Sequence, residues 1–239
     1  MYFFYRPRVG VEEVRGLDDV QRFLVVLEPH GARRRRELLV GRKRLPDPRR
    51  HERAWALVTA VKDDPEEVRD ELGRRVYETR TRGVRVQPEA RPVGEGRYAI
   101  VRHEDHTHLA YVLKLPRQPG EAQELFNILP EASFIVAVRN PDAPAPAGSG
   151  LPDGRGSELP PELRERFGGR RFAALDPPAF LDHPRVQLVL IGAGADASEE
   201  LGIDLGAADE QVQEADLFRR LRLRPGEVPT DPLERGALR

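Results

Sequence analysis

The sequence predicts an α+β protein with a ferredoxin-like (βαββαβ) core and an antiparallel sheet, extended by an N-terminal β-rich segment and a C-terminal strand. Three observations support this fold class. Apolar runs of strand length alternate with two amphipathic helical stretches between residues 54 and 140. Two shorter apolar runs precede that core. Another apolar run, residues 186–191, follows it.

The N-terminal segment predicts two strands, at residues 23–27 and 38–40. The turn signal Pro29, His30 and Gly31 ends the first of them. The link between the strands carries four consecutive arginines, which are too polar to be buried unless they are paired.

The predicted core begins with a continuous apolar run at residues 55–61, typical of a buried central strand. A helix start follows, because Asp64 can cap the helix, Pro65 suits its first position, and two acidic residues lie at the positive end of the helix dipole. Gly73 can end this helix.

The rest of the predicted core completes the strand and helix order. Residues 76–79 and 84–87 are candidate strands, and residues 98–102 and 109–115 flank a predicted hairpin. Apolar residues spaced by three and four predict a helix over residues 120–129, and residues 134–138 predict a strand.

The domain organisation predicted from these elements is one α+β domain over residues 1–193, followed by a flexible tail over residues 194–239. A loop rich in proline and glycine, residues 141–160, is long enough to be functional or disordered. One short amphipathic helix is predicted in the tail, near Val212, Ala215, Phe218 and Leu221.

The composition limits the classes of function. The 239 residues carry 39 basic and 40 acidic side chains, so global charge does not draw the chain to nucleic acid or anionic lipid. No apolar run approaches the roughly 20 residues that cross a bilayer, and the N-terminus lacks a targeting signal. We therefore expect a cytoplasmic protein without membrane association. The absence of cysteine excludes disulfides and thiolate-ligated metals.

Three of the six histidines lie within six residues, as His103, His106 and His108, with Glu104 and Asp105 between them. If Asp105 and His106 form the turn, His103 faces His108 across the hairpin, with the Cβ atoms about 5 Å apart. Imidazole and carboxylate ligands together suit Zn or Fe. The alternative is a solvated hairpin tip, since no established ligand spacing is present.

Arginines predict a second kind of site. A basic segment offers guanidinium groups to a small anion or to nucleic-acid phosphates. Its cationic residues are Arg33, Arg34, Arg35, Arg36, Arg42, Lys43, Arg44, Arg49 and Arg50. Arg170 and Arg171, which precede Asp176, are further candidates for anion binding. The alternative is a solvated basic loop or pairing with nearby acids.

The leading functional hypothesis is a non-enzymatic binding or regulatory module that recognises a small anionic ligand or a protein partner. It rests on the absence of established catalytic motifs. One alternative is a metal-dependent hydrolase or oxygenase that uses the histidine cluster. Another is nucleic-acid binding through the basic segment. A homo-oligomer is compatible with each hypothesis.

Overall fold

The computed structural model describes residues 1–31, 33–81, 83–144, 156–202, 205, 215–224, 226 and 228–238. The predicted ferredoxin-like α+β fold is wrong. The described chain is mostly β-structure, built around a closed antiparallel barrel of eight strands.

The barrel strands are joined in one continuous ring of antiparallel pairs. In chain order they are β1 (Tyr2–Pro7), β2 (Val20–Leu27), β3 (Arg35–Val40), β4 (Arg53–Lys62), β7 (Arg91–His103), β8 (His106–Leu115), β9 (Glu131–Arg139) and β11 (Gln187–Gly194). The order around the barrel is β1, β2, β3, β4, β11, β9, β8, β7, and β7 pairs with β1 to close the ring.

The remaining elements lie outside the ring. Strands β5 (Arg75–Thr79) and β6 (Gly83–Gln87) form a separate hairpin, and β10 (Phe172–Ala174) pairs with the end of β9. The α-helices of the described residues are α1 (Pro65–Leu72), α2 (Glu121–Phe126), α3 (Pro161–Glu165), α4 (Ala197–Leu201), α5 (Asp216–Arg220) and α6 (Asp231–Arg235).

Aromatic side chains fill the barrel interior. Phe126, from α2, stacks on Tyr5 and on Phe23 with ring centroids 5.1 Å apart in each case. Phe180 and Leu181, from the segment before β11, belong to the same buried cluster. The barrel is therefore a packed core, in the way expected of an eight-stranded barrel filled by its own side chains.

A second buried cluster covers part of the outer wall. Tyr2 and Phe4, on the outer face of β1, are buried in a cluster that also contains Val68 and Leu72 of α1 and Leu217 of α5. Because this wall is covered, β1 is buried on both faces, and its sequence is a continuous aromatic run without alternation.

The strand pairing explains why the βαββαβ prediction fails. In the predicted fold, α1 connects neighbouring strands of one sheet. In the structure, β4 pairs with β3 and β11, whereas β7 pairs with β1 and β8. The chain between β4 and β7 instead runs along the outside of the barrel and carries the β5–β6 hairpin. Most strand and helix positions in the core were predicted correctly, and their connection was wrong.

The segment predicted as a tail contains helices that contact the barrel. The side chain of Glu95 is 1% exposed, and its carboxylate accepts hydrogen bonds from the backbone N–H groups of Asp216 (3.1 Å) and Leu217 (3.0 Å) at the start of α5. Val212 and residues 145–155 of the predicted loop lie outside the described residues. No helix in the described ranges has the length and apolar character needed to cross a membrane.

Gln123 joins α2, β7 and α6. Its side chain is fully buried, and its amide nitrogen donates to the carbonyl oxygens of Val93 (2.8 Å) and Pro232 (2.9 Å). Its amide oxygen accepts from the N–H of Gly120 at 2.8 Å. Gly236 lies against Gly120 so closely that a Cβ atom at Gly120 would stand 2.9 Å from the Gly236 carbonyl oxygen.

We predict that Gln123→Leu lowers the free energy of unfolding by about 3 kcal/mol, because it keeps the volume but leaves buried backbone groups unpaired. Urea denaturation measures the loss, and amide hydrogen exchange at Leu233 should accelerate. Glu124→Leu, on the exposed face of the same helix, is the matched control. Equal losses for the two variants would contradict the assigned role.

Candidate functional site

The predicted hairpin between β7 and β8 is confirmed, with a different turn. Glu104 and Asp105 form the turn, and Glu104 adopts a φ of 53°. His103 pairs with His106, and Val101 pairs with His108. The predicted pairing of His103 with His108 is therefore wrong. The turn comes earlier in the chain because Glu104 takes the left-handed conformation that a two-residue hairpin turn requires.

The predicted metal-binding group is also wrong. The His103 and His108 rings meet nearly at right angles, with centroids 5.8 Å apart, and the nitrogen Nδ1 of His106 lies 2.6 Å from Asp105 Oδ1. Within the described ranges, no group of three or more His, Asp or Glu side chains is arranged to hold a metal ion. Imidazoles that share one strand face do not thereby direct their nitrogen atoms to a common point.

The basic segment forms local ion pairs. Arg35 binds Glu28 at 2.7 Å, and Arg36 binds Asp182 at 2.8 Å. The other pairs are Arg34 with Asp63 and Asp182, Arg42 and Arg44 with Glu52, and Arg50 with Asp47. Much of the positive charge that the sequence offers to a phosphate is thus compensated within the chain. Arg33 is exposed, and the nucleic-acid hypothesis stays a prediction.

A cleft lies on the outer wall of the barrel, below the β5–β6 hairpin. Its volume is about 570 Å³. We call it the wall cleft, and its lining residues are Arg6, Arg22, Leu24, Glu37, Glu71, Arg75, Val76, Tyr77 and Gln87. Strands β1, β2 and β3 form its floor, and the hairpin forms one side.

Arg6 fixes the hairpin to the barrel. The residue is 6% exposed, and its guanidinium donates to the carbonyl oxygens of Gly73 (3.1 Å) and Pro88 (2.7 Å), at the two ends of the hairpin. A third bond, 2.6 Å long, reaches the carbonyl oxygen of Glu71. Burial lowers the pKa of Arg6. The cleft is therefore held in shape by a charged group that makes three hydrogen bonds to backbone carbonyl oxygens.

Glu37 lies at the floor of the wall cleft. Burial raises the pKa of its carboxyl group, while a 2.6 Å hydrogen bond from the Thr59 hydroxyl and the charges of Arg6 and Arg22 oppose that rise. A carboxyl group with a raised pKa in a cleft is a recognised sign of a functional site. It can exchange a proton, or accept a hydrogen bond from a ligand, closer to neutral pH than an ordinary glutamate.

Two polar side chains of the wall cleft are available to a ligand. The side chain of Arg22 is exposed, and its guanidinium makes no hydrogen bond or ion pair with the described residues, whereas that of its cross-strand partner Arg6 is bonded to backbone carbonyl oxygens. The hydroxyl of Tyr77 also lacks a hydrogen-bond partner in the described part of the chain. Arg75, by contrast, is paired with Glu71 at 2.6 Å.

The arginines predicted near residue 170 separate in the structure. Arg170 lines a smaller cleft at the rim of the barrel together with Asp105 and Asp176, while Arg171 does not line it. Arg170 and Asp176 thus line one cleft, and the anion binding predicted for Arg170 stays a prediction. The wall cleft was not predicted, because its residues come from six separate helices and strands. The only local signal was the alternation of Arg and Val in residues 75–87.

Comparison with known proteins gives no match: neither a protein-family model, nor a curated protein, nor a solved structure is significantly similar to this chain.

We predict that Arg6→Met lowers the free energy of unfolding by about 3 kcal/mol, because hydrogen bonds from a charged donor to buried carbonyls are lost. Hydrogen exchange of the backbone amides in β5 and β6 should be faster in this variant. Arg22→Met is the control, since it changes the neighbouring arginine without breaking a bond. The prediction fails if both variants unfold at the same urea concentration.

We predict that Glu37→Gln raises the free energy of unfolding at neutral pH. Because burial raises the pKa of Glu37 in the folded state, the stability that its protonated form contributes is fully present below the ordinary pKa of 4.5. That contribution is lost as the pH rises through the folded-state pKa. The amide cannot ionise, and its oxygen still accepts from Thr59. Urea denaturation at several pH values should show the advantage of the variant disappearing in acid. An advantage that is constant with pH would contradict the role of ionisation.

Proposed function

We propose that this protein is a binding module whose wall cleft takes a small organic monoanion with an apolar body. The observation that carries the proposal is the free guanidinium of Arg22 on a cleft whose frame is fixed by Arg6. This develops the expectation of a small anionic ligand. A protein partner, a homo-oligomer and a cytoplasmic location remain expectations.

The charges of the wall cleft favour one negative group on the ligand. Arg6 is engaged with backbone carbonyls and Arg75 with Glu71, so Arg22 is the arginine left to bind an anion. A guanidinium binds a carboxylate through two parallel hydrogen bonds. Glu37 disfavours a second anionic group nearby and accepts a hydrogen bond from a ligand donor instead.

The remaining lining supports an apolar body. Leu24, Val76 and Tyr77 line the same cleft as Arg22. The volume of about 570 Å³ lies within the roughly 300–1,000 Å³ of small-molecule sites. A ligand that pairs its carboxylate with Arg22 can place an aromatic or alkyl group against these side chains. The hydroxyl of Tyr77 offers a further hydrogen bond.

The test compares two probes that differ in charge, 3-phenylpropanoate and its uncharged counterpart 3-phenylpropanamide. We expect the carboxylate to shift the backbone amide resonances of β5 and β6 in a saturable way. Arg22→Gln should weaken its binding about tenfold, the size of one charge-assisted hydrogen-bonded contact. The same variant should leave the weaker binding of the amide unchanged.

Arg49→Gln is the matched control, because the side chain of Arg49 is exposed, makes no hydrogen bond or ion pair with the described residues and does not line the cleft. It should bind both probes as the parent does. Equal weakening of both probes by Arg22→Gln, or the absence of saturable shifts in the parent protein, would refute the proposal.

A further inference from the structure

A second cleft lies at the rim of the barrel, beside the tip of the β7–β8 hairpin. Its volume is about 260 Å³. We call it the rim cleft, and its lining residues are Arg102, Asp105, Arg166, Arg170, Ala173, Ala174 and Asp176. The hairpin, the turn after α3 and strand β10 each contribute to it. Three guanidinium groups thus line one small cleft, Arg102 from the hairpin and Arg166 and Arg170 from the turn after α3.

The lining contains three arginines and two aspartates, so the rim cleft carries a net positive charge. Asp176 pairs with Arg102 at 3.0 Å, and Asp105 is engaged by His106 at 2.6 Å. Arg170 donates to backbone carbonyl oxygens and to no carboxylate in the described chain. The guanidinium of Arg166 makes no hydrogen bond or ion pair there.

Local structure holds two of the arginines in place. Arg170 donates to the carbonyl oxygens of Phe167 (3.2 Å) and Arg166 (3.3 Å). Gly168 and Gly169 have φ values of 52° and 77°, so the chain turns tightly between the two arginines. Arg102 is held by Asp176. Donors that are already oriented lose less conformational freedom when a ligand arrives.

The rim cleft is small. Ala173 and Ala174 of β10 also line it, and neither has a long side chain that could fill it. At about 260 Å³ the cleft is smaller than typical sites for drug-sized ligands. It suits a compact charged group rather than a whole organic molecule.

We propose that the rim cleft binds a phosphate group, either as inorganic phosphate or as the head of a small phosphomonoester. A carboxylate presents two oxygens in one plane and is satisfied by one guanidinium fork. A phosphate group presents at least three oxygens in different directions, which matches donors from Arg102, Arg166 and Arg170. Arg166 and Arg170, which have no carboxylate partner in the described chain, are the arginines that pair with its negative charge.

The experiment follows the arginine Nε–Hε resonances of the full-length protein during titration with inorganic phosphate. Sodium chloride keeps the ionic strength constant, and the pH is about 7.5, where phosphate is mostly a dianion. We expect saturable shifts at Arg102, Arg166 and Arg170. Arg166→Gln should weaken phosphate binding about tenfold, and Arg49→Gln, at the opposite end of the barrel, should leave it unchanged.

Glycerol 3-phosphate and acetate, titrated in the same way, identify the source and the class of anion. Tighter binding of glycerol 3-phosphate than of phosphate indicates a phosphomonoester ligand, and tighter binding of inorganic phosphate indicates the free ion. Acetate binding as tight as phosphate would overturn the proposal. So would phosphate shifts that do not saturate, or that are the same in Arg166→Gln.

The phosphate site and the wall cleft can be tested independently of each other. Arg22→Gln should leave phosphate binding intact, and Arg166→Gln should leave 3-phenylpropanoate binding intact. If either variant lost the binding of both phosphate and 3-phenylpropanoate, the cause would be a general change in structure, and the assignment of two separate sites would be contradicted.

Discussion

The architecture depends on one strand whose two faces are both buried. β1 places Phe3 and Tyr5 in the barrel interior, and Tyr2 and Phe4 under the helices of the outer wall. Because it pairs with both β2 and β7, it joins the first four strands to the last four. Without it the sheet would have two open edges, and each edge would expose unpaired backbone groups.

The wall cleft follows from how the chain connects the two halves of the barrel. β4 ends at one end of the barrel and β7 starts at the other, so residues 63–90 must run along the outer wall. The aliphatic side of α1 packs on this wall and buries Val68 and Leu72. The hairpin beyond it buries less: Val76 and Val84 are each 66% exposed. Arg6 supplies the polar contacts that fix this part of the chain, and space remains beneath it.

The sequence predicted local structure far better than topology, for physical reasons. Turn residues and apolar periodicity identified α1, the β7–β8 hairpin and the strand at residues 186–191. The continuous aromatic run of β1 carries no alternation, and it was interpreted only as the absence of a targeting signal. Pairings between strands distant in sequence, such as β1 with β7, leave no local pattern. The wall cleft depends on those pairings, so its residues could not be predicted.

The arginines show why composition is a poor guide to binding in this chain. Basic and acidic residues are nearly equal in number, so the number of arginines in a segment says little about the charge it presents. Arg35 and Arg36, in the densest basic run, are buried in ion pairs and are not available to a ligand. Arg22 and Arg166 belong to no motif in the sequence. Each lines a cleft, and its guanidinium has no hydrogen-bond or ion-pair partner in the described chain. A candidate binding arginine is thus identified by hydrogen-bond donors that its neighbours in the fold leave unpaired.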